Sequence, residues 1–238
     1  MIAVVDYHMG NLRSVERGLC AVGGDARITD VPAEIEAADA VVLPGVGAFA
    51  DASEVLLQTG QMAAIRKAVD AGKPFLGICL GLHLMFEGGV EGASAEAPAE
   101  GLRFIPGVAV KLPSVDAAGN QYKIPHVGWN SLAYRECMTK GTVPNVISSC
   151  HSERSEESPT SKLFDGIEQG EFFYFTHSYM APDSAYTSAT TTHSVEFPSA
   201  VDIDGRIFGV QFHPEKSSDI GMKMLSNFVN IVATFKEA

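Results

Sequence analysis

The 238 residues suffice to bury one full core, and 29 acidic against 17 basic side chains leave a net charge of −12, which repels a phosphate backbone and argues against a nucleic-acid partner. With 46% hydrophobic and 19% charged residues the composition is that of a folded protein, and its longest apolar stretch, Ala40 to Ala50, is broken by Pro44, Gly45 and Gly47, well short of the ~20 residues a membrane helix needs. No membrane association is expected. The N-terminal Met1-Ile-Ala-Val-Val-Asp6 lacks a basic leader and reads as a first strand. Cys20, Cys79, Cys137 and Cys150 form neither a C-x-x-C pair nor a dense framework, so neither a metal site nor a disulfide scaffold is expected, and a cytoplasmic protein with reduced thiols is the simplest expectation.

In chain order, Ile2 to Asp6 is a short β-branched run, and Leu12, Val15, Leu19 and Val22 then recur at helical spacing before Gly23-Gly24. Ala26 to Ile28 and Ala40 to Leu43 read as the next strands. Ser53 to Ala71 reads as a helix, with apolar residues at 55, 56, 62, 65 and 69, and Pro74 to Cys79 as a buried strand. Strands alternating with helices predict βαβ units in a parallel sheet. Gly88 to Glu100 reads as a loop. From about Val108 to Ile207 the runs become short and rich in Val, Thr, Tyr and Phe, as in Val108 to Leu112, Phe172 to Phe175 and Ser188 to Thr192, which predicts antiparallel additions to the sheet. Arg206 to Phe212 is one more strand, and Ile220, Met224, Leu225, Phe228, Val232 and Phe235 lie on one face of a final helix. The expected architecture is α/β: one domain over 1–238, with a mostly parallel central sheet flanked by helices and extended by antiparallel strands. Ser148 to Ser161 is rich in serine and glutamate and lacks aromatics, so a mobile insertion is expected at about 138–162.

The strongest chemical signal is Phe75-Leu76-Gly77-Ile78-Cys79-Leu80-Gly81, an apolar strand running into G-x-C-x-G. It is the thiol version of the nucleophile elbow, in which glycines on both sides permit a sharp strand-to-helix turn and the helix start favours thiolate. The alternative is a buried cysteine between packing glycines. A thiolate nucleophile needs a base, and Phe208 to Phe212 is a strand that delivers His213-Pro214-Glu215 to its carboxyl edge, with Glu215 near enough to orient the imidazole. His177, His126 and His83 compete for the role, and spacing does not exclude them; the acid two residues on favours His213. Val41 to Ala50 matches G-x-G-x-x-A at Gly45, Gly47 and Ala50. Its place after the third strand and the position of Asp70 argue against a dinucleotide fingerprint, so it reads either as an oxyanion hole beside the thiolate or as an ordinary βα turn.

Pro44-Gly-Val-Gly47, Gly77-Ile-Cys-Leu-Gly81 and His213-Pro-Glu215, in this order and at these separations, resemble the class I (triad) glutamine amidotransferase family. Pro125-His-Val-Gly-Trp-Asn130, Tyr174-Phe-Thr-His-Ser-Tyr179 and His213-Pro-Glu-Lys-Ser217 are similar to its imidazole glycerol phosphate synthase branch, whose glutaminase subunits work with a separate (β/α)8 cyclase subunit in histidine biosynthesis. The resemblance implies a flavodoxin-like fold and no cofactor. It implies that Cys79 attacks the side-chain amide of glutamine, that His213 protonates the leaving ammonia and later activates water, and that Glu215 orients His213. Gly45, Val46 and Gly47 would belong to the oxyanion strand with Leu80 beside them, and Ser178 and Tyr179 would hold glutamine through their backbone. Asn11, Trp129, Tyr174 and Lys216 would face the cyclase in a heterodimer, and ammonia would pass to that subunit for formation of imidazole glycerol phosphate and aminoimidazole carboxamide ribonucleotide.

The chain departs from the family's G-x-C-x-G-x-Q at its last position, where His83 would serve as the substrate-binding side chain, able to donate one hydrogen bond and accept another. Two other functions use the same residues: a partner-independent γ-glutamyl amide hydrolase, and a catalytically weakened regulatory or binding subunit.

Overall fold

The computed structural model describes residues 1–135 and 161–237. Its strands are β1 (Ile2–Val5), β2 (Ala26–Thr29), β3 (Ala40–Gly45), β4 (Phe75–Cys79), β5 (Phe86–Gly89), β6 (Ala99–Glu100), β7 (Ile105–Lys111), β8 (His126–Ser131), β9 (Ala133–Tyr134), β10 (Phe172–His177), β11 (Tyr179–Met180), β12 (Thr187–Thr192), β13 (Glu196–Ile203) and β14 (Ile207–Val210). The helices are α1 (Leu12–Ala21), α2 (Pro32–Ala37), α3 (Phe49–Gln58), α4 (Gln61–Asp70), α5 (Leu80–Leu84) and α6 (Ser218–Glu237).

The central sheet runs β2-β1-β3-β4-β14-β13-β12-β9; pairing is parallel from β2 to β14 and antiparallel beyond it. The chain starts on β1, steps outward to β2 and returns past it to β3, so the strand order reverses beside β1 as in flavodoxin-like folds. Alternation along each strand divides the core between the two faces of the sheet. Ile2, Val4, Val42, Leu76, Ile78 and Val210 pack under Val15 and Leu19 of α1 and Met224, Leu225 and Phe228 of α6. Val5, Val41, Leu43 and Phe75 pack under Ile35, Leu56, Met62 and Ile65 of α2 to α4.

Several expectations are corrected. The helix expected over Ser53 to Ala71 is two helices, α3 starting earlier at Phe49, because Gly60 at φ +76° turns the chain out of helical geometry between them. The runs at Val108 to Leu112 and Phe172 to Phe175 are strands, but among the described residues they do not extend the central sheet: β7 joins β11, β5 and β6, and β10 pairs with β8. Strand propensity does not specify the partner strand. The ends of the loop expected at Gly88 to Glu100 pair as β5 and β6, Gly88 opposite Glu100. On α6, Phe235 is 42% exposed and Ile231 takes its place in the core. The insertion expected at 138–162 lies outside the described residues except for its end, where Ser161 and Lys162 enter a 3-10 turn over Lys162–Phe164. Among the described residues no helix is long and apolar enough to cross a membrane.

Candidate active site

β3, β4 and β14 lie side by side and parallel, so their carboxyl ends open at one edge of the sheet, with Gly45 in register opposite Cys79. At that edge β4 turns into α5 through Cys79, whose φ of 55° and ψ of −106° are unusual for a residue with a side chain. Such a backbone costs about 1–3 kcal/mol and persists only where packing imposes it. Both flanking glycines show how it is imposed. A Cβ on Gly81 would run into the carbonyl oxygen of Leu43 on β3, and one on Gly77 would stand 2.5 Å from the carbonyl oxygen of Gly81. The turn is thus pressed flat against β3, and Cys79 lines the pocket above it. Gly45 is similarly constrained, since a Cβ there would collide with the hydroxyl of the buried Tyr7.

Three residues past β14, His213 is held from both sides. Its N–H donates to Tyr174 O at 2.8 Å, and Ser217 Oγ donates to His213 O at 2.7 Å while accepting from Tyr174 N at 3.0 Å. Its ring Nδ1 lies 2.9 Å from Glu215 Oε1, and both side chains are almost fully buried. A carboxylate accepts only, so Nδ1 carries a proton, and Nε2 is the nitrogen left for chemistry. Burial alone pulls the imidazole toward the neutral form; Cys79 and Glu215 outweigh it and raise the pKa to about 9. Among the described residues Nε2 meets no partner in good hydrogen-bond geometry, although Cys79 is near enough to act on its proton affinity. The pair is therefore in contact without an ideally directed bond.

A pocket of about 390 Å³ opens over the sulfur, lined by Val46, Gly47, Cys79, Leu80 and His83 on one side and by Thr176, His177, Ser178 and Tyr179 on the other. The three other candidate bases behave differently from His213. His177 donates from Nδ1 to Tyr179 O at 2.8 Å and accepts at Nε2 from His126 Nδ1 at 3.0 Å, so both ring nitrogens are occupied. Burial lowers His177 to about 3, and burial, then the neighbouring His193, lowers His126 to about 4. His83 donates from Nε2 to Gln211 Oε1 at 2.7 Å and is also lowered to about 4, by burial that this bond only partly offsets. Among the described residues none of the three bonds a carboxylate. The structure brings His213, and not these, to the thiol with an acid behind it.

Around the sulfur, Gly47 adopts φ +97° and Val46 is 41% exposed, so the Pro44–Gly47 turn follows the rim of the pocket. The sequence reading missed Glu91, the acid that lines this pocket beyond β5. Burial raises its carboxyl pKa, against a hydrogen bond from the Phe49 backbone. Its signal was weak: one of several acids in a Gly/Ala run that reads as a loop. Thr176 and Gln211 were missed as well; the sulfur lies 3.9 Å from Thr176 O and 3.8 Å from Gln211 Nε2.

Beside the pocket, β8 and β10 pair with Trp129 opposite Tyr174 and Val127 opposite Thr176. Phe173 and Phe175 point into the core, whereas Phe172, Val127 and Trp129 are 54%, 56% and 50% exposed. The Trp129 and Tyr174 rings meet edge to face at 6.1 Å. Lys216 is exposed in the 3-10 turn Pro214–Lys216, and Asn11 is exposed at the start of α1, its side chain making no capping bond. The outer face is thus an apolar patch bordering the site.

A family model described as glutamine amidotransferase class-I matches residues 3–232. The chain is 43% identical over 234 residues to the imidazole glycerol phosphate synthase subunit HisH of Caldanaerobacter subterraneus subsp. tengcongensis, covering 98% of each. It is 42% identical over 234 residues to the subunit of that name from Moorella thermoacetica, covering 97% of this chain and 95% of the relative. Among solved structures, a crystal structure of a glutamine amidotransferase superposes with a TM-score of 0.66 at 16% identity, over 98% of this chain and 100% of that one. PurLQS from Thermotoga maritima superposes with 0.62 at 17% identity, over 99% and 98%. At such identities these two matches speak to the fold.

Proposed function

The chain belongs to the class-I glutamine amidotransferase family, and from that premise we propose that it is the glutaminase subunit of an imidazole glycerol phosphate synthase, acting in the cytoplasm in histidine biosynthesis. Glutamine enters the pocket with its carboxamide over Cys79. The thiolate attacks the amide carbon, and the negative charge that develops on oxygen is met by backbone N–H groups of the Gly45–Gly47 turn and of Leu80. Imidazolium His213, favoured at neutral pH by its raised pKa, gives its Nε2 proton to the leaving nitrogen, and ammonia departs. A γ-glutamyl thioester remains on Cys79. Neutral His213 then takes a proton from water, whose oxygen attacks the thioester; glutamate leaves and the thiolate returns. Glu215 keeps Nδ1 protonated throughout. At the far end of the pocket Glu91 receives the α-ammonium of glutamine, while the backbone of Ser178 and Tyr179 holds its amino-acid end.

The observation that carries this reading is the meeting of Cys79 with a buried His213–Glu215 pair bonded at 2.9 Å, in a chain alike to such subunits along nearly its whole length. The β8–β10 patch, with Trp129, Tyr174, Lys216 and Asn11, supports docking of a (β/α)8 cyclase subunit, to which the ammonia passes. The test is glutamate release from glutamine by the purified chain, alone and with the cyclase subunit and its nucleotide ligand. Release is expected to rise by orders of magnitude in the loaded complex and to fall to background in Cys79→Ser. Release indifferent to Cys79→Ser sinks the proposal, and full activity of the isolated chain points to a partner-independent amide hydrolase.

A further inference from the structure

Gln211 is fully buried directly behind the nucleophile and makes two side-chain contacts of opposite kind. Its Oε1 lies 2.7 Å from His83 Nε2, and its Nε2 lies 3.8 Å from Cys79 Sγ. A carboxamide can occupy such a place in either of two flips, and the flip decides whether the sulfur faces an N–H donor or a carbonyl oxygen. The Nε2–H form of His83 selects one of them: amide oxygen accepts only, so this form holds Oε1 at 2.7 Å and leaves the NH2 group only the sulfur side. A thiolate selects the same flip, because a carbonyl dipole pointed at it would repel. The backbone supports the placement: Gln211 N donates to Ser199 O at 2.9 Å, and His83 stands four residues after Cys79, one turn along α5.

We propose that Gln211 is a further catalytic residue, its amide N–H holding the Cys79 sulfur as an anion, and that His83 is the positioning residue that fixes the flip of that amide. This rests on Cys79 being the nucleophile of the reading above. It gives His83 a role through the enzyme's own machinery, distinct from the direct contact with substrate expected of that position. Hydrogen bonds to charged groups are stronger than neutral ones, and an anion left without one in a buried site reverts to its protonated form more readily.

The test reads the sulfur without using glutamine: the pH profile of iodoacetamide alkylation, followed at the Cys79 peptide by mass spectrometry in the full-length chain. Gln211→Leu is expected to move the midpoint up by about one pH unit, a tenfold loss in the thiolate-to-thiol ratio at a given pH, the size expected for one charge-assisted hydrogen bond. The isosteric Gln211→Glu, which keeps the volume if the leucine variant fails to fold, moves it further, since a carboxylate faces the sulfur. His83→Phe releases the amide and moves the midpoint part of the way. His83→Gln, whose own amide can donate to Gln211 Oε1, returns it toward the parent value. The double variant His83→Phe with Gln211→Leu matches Gln211→Leu alone, since both act on one contact. An unchanged midpoint in folded Gln211→Leu or Gln211→Glu, or additive shifts in the double variant, overturns the proposal. Shifted midpoints together with glutamate release that survives Cys79→Ser overturn the functional reading and with it the catalytic role of Gln211, whereas unchanged midpoints with release that requires Cys79 overturn this proposal alone.

Discussion

Two sites of buried histidines beside the pocket are in opposite electrical states. Past the end of β14 and next to Cys79, His213 has its pKa raised to about 9; on β10 and β8, His177 and its neighbour His126 are lowered to about 3 and about 4. Burial pushes all three toward the neutral form, so burial does not separate them. The partners do: His213 bonds a buried carboxylate and faces a thiol, whereas His177 bonds a backbone carbonyl and another imidazole. A buried histidine thus keeps or sheds its proton at neutral pH according to what faces its two nitrogens.

The sharpest way to break this contrast is to remove the acid. Glu215→Gln keeps the shape but takes away the charge, and glutamate release in the presence of the cyclase subunit is expected to fall about 100-fold, close to 2.7 kcal/mol of transition-state stabilisation. The loss is expected in kcat, with KM little changed, since Glu215 touches no substrate in the proposed mechanism. A rise in KM of comparable size would contradict an orienting role.

Next in size is the turn that presents the thiol. Gly81→Ala forces a methyl group against the carbonyl of Leu43, so β3 and α5 must separate, at about 1–3 kcal/mol of stability as for other overpacked sites. Urea unfolding should show the loss, and Cys79 alkylation should show a displaced sulfur. The equivalent change at Gly23, where a Cβ has open space but φ is +91°, should lower stability through backbone strain while leaving alkylation of Cys79 untouched.

The smallest effect lies in the pH dependence of stability, where these two sites act with opposite sign. His213 is raised from 6.5 to about 9, so the folded chain binds the extra proton and its contribution, complete below pH 6.5, is lost as pH rises toward 9. His177 and His126 are lowered from 6.5 to about 3 and about 4. The unfolded chain binds those protons first, so their contribution is complete above pH 6.5 and is lost as pH falls toward 4. Urea midpoints measured from pH 4 to 9 should therefore fall away on both sides, with Glu215→Gln flattening the alkaline limb and His177→Gln the acid one. Carboxylates such as Asp39, held low by the N-terminal ammonium and Lys236, also titrate on the acid side, which makes the difference between variant and parent the quantity to compare. An acid limb identical in His177→Gln and the parent would show that His177 carries no proton linkage.

Much of this was legible from local pattern. The strand-to-helix alternation of the first half, the glycines beside Cys79 and the acid two residues after His213 are short-range features, encoded by neighbouring residues and readable without knowing what lies across the fold. The break of one long helix at Gly60 was missed because apolar spacing continues through it, although a glycine there needs only a positive φ to end the helix. Glu91 was missed because an acid in a loop acquires meaning only when a pocket closes around it. For His83, substitution at a familiar motif position suggested contact with substrate, while its bond to Gln211 spans 128 residues and has no local trace.

What the sequence by itself determined is which residues are capable of the chemistry: a strained cysteine elbow, a histidine with its own acid, a glycine-rich turn after a strand. Local sterics and hydrogen-bonding capacity belong to the residues and their neighbours and need no partner. What only the tertiary structure decided is which of these meet. The parallel pairing of β14 with β4 sets His213 beside Cys79, the pairing of β3 with β4 sets Gly45 opposite it, and the separate pairing of β10 with β8 leaves Trp129 on an exposed face. Strand pairing depends on long-range packing of both faces of the sheet, and the pKa values of four buried histidines follow from it, because each is set by the groups that the fold places against the ring.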